Sequence, residues 1–491
     1  MSDSRDAQGT GLADRSDTRF FGQPGVLANL FGVELWERFS FYGMQGILLI
    51  YLYYSASRGG LGIDEGVATG IVGAYGGGVY LSTILGAWLA DRVIGPERTL
   101  FYSAACVMVG HIALALVPGL LGVGVGLVLI ALGSGGVKAT ATSLVGSLYD
   151  EHDTRRDAGF SLFYMGINIG GLMGPILTGL MWNSFGFHIG FGLAAAGMAI
   201  GLAQYAATRS KLPDKTHRVA NPLPPGRWPR YVVVAVLALA LVGVLVWLDV
   251  ITAARLSNIV IGISLVATIA YFAVILADRE VQGAERSRIF AFMPLFVCNV
   301  VFWSLYQQQF TVVTIYADKR LDRDIFGWEM PVSWVNSINP VFIIVLAGVF
   351  AALWTRLGTR QPSTPVKFGA GTALMGVAFF GFLLMPSGQN TAPLLGLAGI
   401  LLVFTLAELL ISPVGLSATT KLAPRKFATQ MIALYFLSIA LGTALAGTLA
   451  GFYDETDEAP FFIWVGLASV VTGVVVMLAS KPIHRLMAGV D

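Results

Sequence analysis

Charge is scarce in this 491-residue chain: Asp, Glu, Lys and Arg make up 12% of it, about half the share of a soluble domain. Apolar residues reach 55%. That excess excludes an ordinary soluble fold and predicts a polytopic membrane protein. Cysteine is nearly absent. Cys106 and Cys298 stand alone in apolar runs with no CxxC pair, which excludes a disulfide framework and a thiolate metal site and leaves two buried apolar side chains. There is no metal-ligand spacing, histidine cluster or nucleophile elbow, so an enzyme is not expected. The net charge is +2 without a basic tract, and nothing points to nucleic acid. Residues 1–25 lack the short apolar core and small-residue cleavage site of a signal peptide. They read as a polar, disordered cytoplasmic tail.

What the chain does have is long apolar runs. Fourteen are long enough to cross a bilayer, which takes ~20 residues: 26–54, 67–90, 98–117, 121–149, 156–183, 187–208, 231–249, 256–277, 289–317, 333–357, 366–385, 393–420, 427–453 and 460–480. Of the 31 Lys and Arg residues, 24 fall on one set of alternate loops and tails. Five (Arg58, Arg255, Lys319, Arg320, Arg323) fall on the other set, which also holds the acidic stretch 454–458. The bias predicts both termini in the cytoplasm. The spans group as six, two and six: a bundle at 26–208, a linker with two extra helices at 209–288, a bundle at 289–480 and a tail at 481–491. The stretch 209–230 is basic and carries Pro213, Pro222, Pro224, Pro225 and Pro229. It reads as an extended linker rather than a packed element. The two extra spans have no ionisable residue in their cores and are expected outside any transport path.

Ionisable residues inside spans are few. Glu34, Glu37 and Arg38 stand at i, i+3 and i+4 of the first span, on one face, with Tyr42 continuing the stripe. Each costs roughly 2.5–3.5 kcal/mol at the centre of a membrane helix, so such groups face a cavity and one another. A purely structural ion lock would not need the tyrosine. Lys138 lies more than ten residues from either end of the fourth span, too deep to snorkel easily. Glu408 is the one acid in the membrane part of the second half. Asn168 in the fifth span offers a donor and an acceptor, and an interhelical hydrogen bond at a Gly-rich crossing would explain it equally well. His111, near the end of the third span, reads as structural.

The stretch Glu34-Leu-Trp-Glu37-Arg38-Phe-Ser-Phe-Tyr42-Gly43 resembles ExxERFxYYG, the signature of the proton-coupled oligopeptide transporter (POT/PTR) family of the major facilitator superfamily. Other blocks follow in order. Gly86-Ala-Trp-Leu-Ala-Asp91-Arg92-Val-Ile-Gly95 resembles the superfamily's GxxxDRxxG loop motif, in which an Asp/Arg pair would grip neighbouring helices. A weaker copy without the Asp closes the matching span at 350–358. Phe163-Tyr164-Met-Gly-Ile167-Asn168-Ile-Gly170 resembles FYxxINxG, and Phe404 to Gly415 resembles FxxxExxxxPxG around Glu408. Bacterial members also carry an inserted helical pair. The resemblance implies an all-α integral membrane fold, two six-helix bundles plus two inserted helices, with a site at mid-membrane.

Departures are equally specific. Lys138 is followed by Ala-Thr where the family has Pro-Asn, which removes a kink but keeps the charge. Gln307 replaces an acid implicated in proton coupling and the outer gate. Gln45 stands where Arg or Lys is usual, and Tyr435 where Trp is. Asn339 and Tyr80 match short, unspecific pocket-lining positions.

The resemblance implies a symporter that imports di- and tripeptides by alternating access. The membrane set Glu34, Glu37, Arg38, Lys138 and Glu408 has three acids and two bases, so one added proton neutralises it. The peptide amino group would sit on Glu408 and the carboxylate near Arg38 and Lys138, with Tyr42, Tyr80, Asn168, Gln307, Asn339 and Tyr435 lining the site. Opposite charges on opposite halves would draw the halves together. A proton arriving at Glu34 or Glu37 would free Arg38 or Lys138 for the substrate. No cofactor is implied beyond the proton as coupling ion. The expected partners are peptide, protons and the lipid bilayer of a bacterial inner membrane, with the monomer as the working unit. A peptide-binding nutrient sensor and a carrier of another small metabolite or drug are the alternatives.

Overall fold

Inside a bilayer no water is available to the backbone, so its polar groups must bond within their own segment, and the chain is accordingly helical. The structure, a computed structural model, describes residues 17–149, 153 and 155–490. Its helices are α1 (Leu27–Tyr53), α2 (Glu65–Leu89), α3 (Pro96–Leu116), α4 (Gly119–Gly146), α5 (Arg156–Phe185), α6 (Phe187–Thr208), α7 (Trp228–Trp247) and α8 (Leu256–Ala277). The second half adds α9 (Gly283–Tyr306), α10 (Val312–Lys319), α11 (Ile338–Leu357), α12 (Thr364–Phe382), α13 (Leu394–Leu422), α14 (Ala428–Ala450), α15 (Ala459–Leu478) and α16 (Ser480–Leu486). Thirteen segments among the described residues are long and apolar enough to span a bilayer. Helix α1, at 27 residues, has the length as well, and its two glutamates and arginine are what lower its apolarity.

Several boundaries differ from the sequence expectation. The ninth span is not one helix: α9 ends at Tyr306, a 3₁₀ turn covers Gln307–Phe310, and α10 follows. One glutamine side chain there bonds to the backbone. Gln308 Nε2 donates to the carbonyls of Ser304 (3.3 Å) and Ala446 (3.1 Å) and its Oε1 accepts from Thr311 at 2.7 Å, offering an alternative to the helical ladder. The tenth span starts as a 3₁₀ turn, Val332–Ser337. Residues 481–491, read as tail, include most of the short α16. Cys106 is half-buried and donates to the Leu129 carbonyl at 3.2 Å.

The linker is also a correction. Leu212, Thr216 and Leu223 are buried, and Asn221 and Leu223 donate backbone N–H groups to the carbonyls of Asp91 (2.9 Å) and Arg92 (3.1 Å). Pro222 and Pro224 lack N–H donors, but Asn221 and Leu223 keep theirs, so the strap docks on a loop that presents its carbonyls. Of the expected tail 1–25, residues 1–16 lie outside the described residues. Residues 17–25 are anchored at points: Gln23 is buried and accepts from Tyr149 OH at 2.9 Å, and Asp17 binds Arg19 at 2.9 Å. That ion pair, outside the spans, holds the Asp17 carboxyl well below the usual carboxylate range.

Contacts divide the chain into two units. One comprises the residues up to Met44, Ser82–Met181 and His188–Leu245; the other comprises Gln45–Leu81, Trp182–Phe187 and everything from Val246. In the first unit, α5 lies on α1 along a stripe of small residues, the membrane way to bring backbones close. A Cβ at Gly170 would stand 2.3 Å from the Leu35 carbonyl and 2.9 Å from Arg38 Cβ, so α5 passes directly over the charged stripe. Helix α7 has no buried residue. In the second unit, α8 docks on α14 through Ser257, which donates to the Ala444 carbonyl at 2.6 Å.

Candidate functional site

The first unit gathers the charged residues of α1. Arg38 Nε lies 2.7 Å from Glu34 Oε1 and 3.2 Å from Glu37 Oε2. From α4, Ser134 Oγ donates to Glu37 Oε1 at 2.7 Å. Glu34, Glu37 and Arg38 are 2%, 0% and 6% exposed, so the triad lacks the solvent that normally screens such charges. One guanidinium faces two carboxylates, a set that one proton neutralises. Lys138, one turn beyond Ser134 on α4, holds its ammonium 4.8 Å from the Phe41 ring centroid, a cation–π distance. Tyr42 packs edge-on against Phe41. Asn168 on α5 donates to the Tyr164 carbonyl of its own helix at 2.8 Å.

The second unit gathers another set. Asn339 Nδ2 donates to Glu408 Oε2 at 3.3 Å and to Thr405 Oγ1 at 3.0 Å, while its Oδ1 accepts from Tyr306 OH at 3.1 Å. The α11 amide therefore ties the α13 acid to the last residue of α9. Glu408 is half-buried. Trp303 joins Tyr306 at 5.1 Å and Tyr80 at 6.5 Å between ring centroids. Tyr435 is buried, with its ring against Gly415, where a Cβ would come within 2.8 Å. Gln307 opens the 3₁₀ turn, is 9% exposed, and leaves its Oε1 buried without a hydrogen-bond partner among the described residues.

The loop motif works differently from its expected form. Among the described residues, Asp91 and Arg92 make no side-chain hydrogen bond or ion pair; their backbone carbonyls hold the linker. The gripping carboxylate is Glu97, fully buried, with Arg209 at 2.8 Å and His217 at 3.3 Å. Gly86 is needed for contact, since a Cβ there would lie 2.6 Å from Gly136 Cα. At Gly95 the backbone turns through φ +84°.

A cavity of about 1150 Å³ in the second unit is lined by none of the residues singled out as substrate or proton sites. Asp318 on α10 accepts from Tyr53, the last residue of α1, and from the adjoining Tyr54 at 2.6 Å each. Lys319 bridges Glu65 on α2 and Glu455 in the α14–α15 loop. Arg320 pairs with Glu458 at 2.8 Å, which holds the guanidinium above its ordinary value. Arg323 contacts Glu329 at 2.7 Å, and the Arg58 guanidinium lies over the Tyr54 ring at 3.5 Å. In the sequence these residues carry information only about topology. The usable signal was the Asp-Lys-Arg triplet 318–320 facing the acidic stretch 454–458.

Comparison with known proteins follows the same lines. The POT family model (PTR2) matches residues 97–465. An uncharacterized transporter, YclF, of Bacillus subtilis strain 168 is 42% identical over 476 residues, 96% of each chain. A di-/tripeptide transporter of Lactococcus lactis subsp. cremoris is 37% identical across 97% of this chain and 99% of its own. A crystallised variant of a peptide transporter, in complex with alafosfalin, has a TM-score of 0.92 at 41% identity over 98% of both chains.

Proposed function

The chain belongs to the POT family, and from that premise we propose that it is a proton-driven symporter importing di- and tripeptides. It is a transporter rather than an enzyme. The observation that carries the coupling reading is the buried triad: Arg38 contacts both Glu34 and Glu37. Protonation of either carboxylate weakens its hold on the guanidinium. Arg38, with Lys138 nearby on α4, then takes the peptide carboxylate. Glu408, held by Asn339, takes the peptide ammonium through a charge-assisted hydrogen bond. Tyr42, Tyr80, Asn168, Gln307 and Tyr435 supply polar and aromatic walls in this reading. The loop asymmetry of Lys and Arg supports an inner-membrane orientation with both termini cytoplasmic and the Asp318 end outside. The monomer carries the whole cycle.

Uptake of labelled dialanine into proteoliposomes, with an inward proton gradient imposed and then abolished, tests the proposal. Accumulation that collapses with the gradient, and is competed by dipeptides but not by free amino acids, is expected. Gradient-independent exchange would keep the peptide site and remove the coupling. Absence of uptake by folded protein would favour another small metabolite, or a sensor that binds without moving cargo.

A further inference from the structure

The two inserted helices are unequal. Helix α8 buries Ser257, Ser264, Thr268 and Ile275, whereas α7 buries nothing. Of the 20 residues of α7 only Tyr231 and Leu245 are even half-buried, and the others are exposed on every face. A Cβ added at Gly243 would meet nothing within 4 Å. Inside a bilayer, an apolar helix that no protein covers is surrounded by acyl chains, which are as apolar as its own Val and Leu side chains. Its position is therefore set at its ends, by the residues that meet the interface.

The end that joins the strap is equipped for that task. Arg227, Trp228 and Arg230 are all exposed, and Trp is a side chain that settles at headgroup level. The Tyr231 ring lies 5.4 Å from the Trp88 ring of α2, between centroids, which ties the root of α7 to the first unit. The strap before it is fixed as well. Arg227 donates its backbone N–H to the Pro224 carbonyl at 2.9 Å, and Asn221 and Leu223 are bonded to the α2–α3 loop. Arg209 and His217 are engaged by Glu97. Lys211, Lys215, Arg218, Arg227 and Arg230 are exposed and form no ion pair among the described residues. Asp214 is the sole acid of the stretch 209–230. A surplus of positive charge thus stands on a pinned segment at the start of an unpacked membrane helix, where such clusters attract anionic lipid. A guanidinium matches a phosphate with two parallel N–H groups.

We propose that the root of α7 is a binding site for an anionic phospholipid. Arg227 and Arg230 donate to the lipid phosphate, Trp228 lies beside the headgroup, and the acyl chains run along the uncovered faces of α7. Lys211, Lys215 and Arg218 add attraction for a headgroup of net negative charge, which a zwitterionic lipid lacks. The assignment gives the strap and α7 a joint purpose, and it does not depend on the transported substrate or on proton coupling.

The test is native mass spectrometry of the full chain released from vesicles of equimolar phosphatidylglycerol and phosphatidylcholine. Wild-type protein should retain phosphatidylglycerol, and Arg227→Gln/Arg230→Gln should lose about tenfold of that retention. Retention by this variant at the wild-type level would overturn the proposal. Arg356→Gln/Arg360→Gln, which removes two exposed cations outside the strap, should leave retention unchanged. An equal loss there would show a generally basic surface and overturn the site. Added glycerol phosphate should not displace the lipid; displacement would assign the cations to a soluble phosphate compound instead. If the double variant does not fold, wild-type protein decides. A phosphatidylglycerol with a diazirine on its acyl chain should label residues 228–247 several-fold more than the matching phosphatidylcholine, and equal labelling would overturn the proposal.

Discussion

Ser134 on α4 donates a 2.7 Å hydrogen bond to Glu37 on α1, so the fully buried carboxylate is held from two helices. A hydrogen bond to a charged group contributes about 1.5–3 kcal/mol. Ser134→Ala should therefore cut proton-driven dipeptide uptake by about tenfold or more, whereas Ser134→Thr, which keeps the hydroxyl, should retain it. Equal uptake by the two variants in proteoliposomes would show that this bond does not set the state of Glu37.

Asn339 positions Glu408. Glu408→Gln keeps an acceptor for the Asn339 amide but loses the charge offered to a peptide ammonium. The half-saturation concentration for dialanine in counterflow should rise about 10–100-fold, with thermal stability little changed. Asn339→Ala should lower both affinity and thermal midpoint, because Thr405 and Tyr306 lose a partner as well. Retained affinity in Glu408→Gln would place the ammonium elsewhere.

Asp318 joins the end of α1 to α10. Its side chain is 7% exposed and accepts from two tyrosines. Asp318→Asn should destabilise the detergent-solubilised protein by on the order of 1–3 kcal/mol, read as a thermal midpoint lowered by several degrees. Tyr53→Phe and Tyr54→Phe share the same acceptor, so their effects should not add. Strict additivity would mean the two bonds are independent.

Glu97 anchors the linker through Arg209 and His217. Removing one partner of a buried pair costs about 3–5 kcal/mol, although Arg209, a quarter exposed, recovers part of that from water. Glu97→Gln should loosen the strap and speed tryptic cleavage between residues 209 and 218 by about tenfold. An unchanged cleavage rate would assign the docking to the backbone bonds of Asn221 and Leu223 alone.

Spans and charges were legible in the sequence because both rest on local physics. A bilayer sets the length of an apolar run, and a buried ion at i, i+3 or i+4 must share a helix face with its neighbour. Glu34, Glu37 and Arg38 could thus be grouped from spacing alone, and Glu408 stood out by its isolation in an apolar segment. Tertiary structure decided which distant group meets each of them. Ser134 is ninety-seven residues from Glu37, and Asn339 is sixty-nine from Glu408; no periodicity links positions on different helices. It also decided where helices break, since the turn at Gln307–Phe310 depends on Gln308 reaching the Ala446 carbonyl. It placed the cavity around Asp318, whose tyrosine partners lie some 265 residues away. Burial without a hydrogen-bond partner, as at Gln307 Oε1, belongs wholly to packing, because a sequence shows a side chain's chemistry and not what surrounds it.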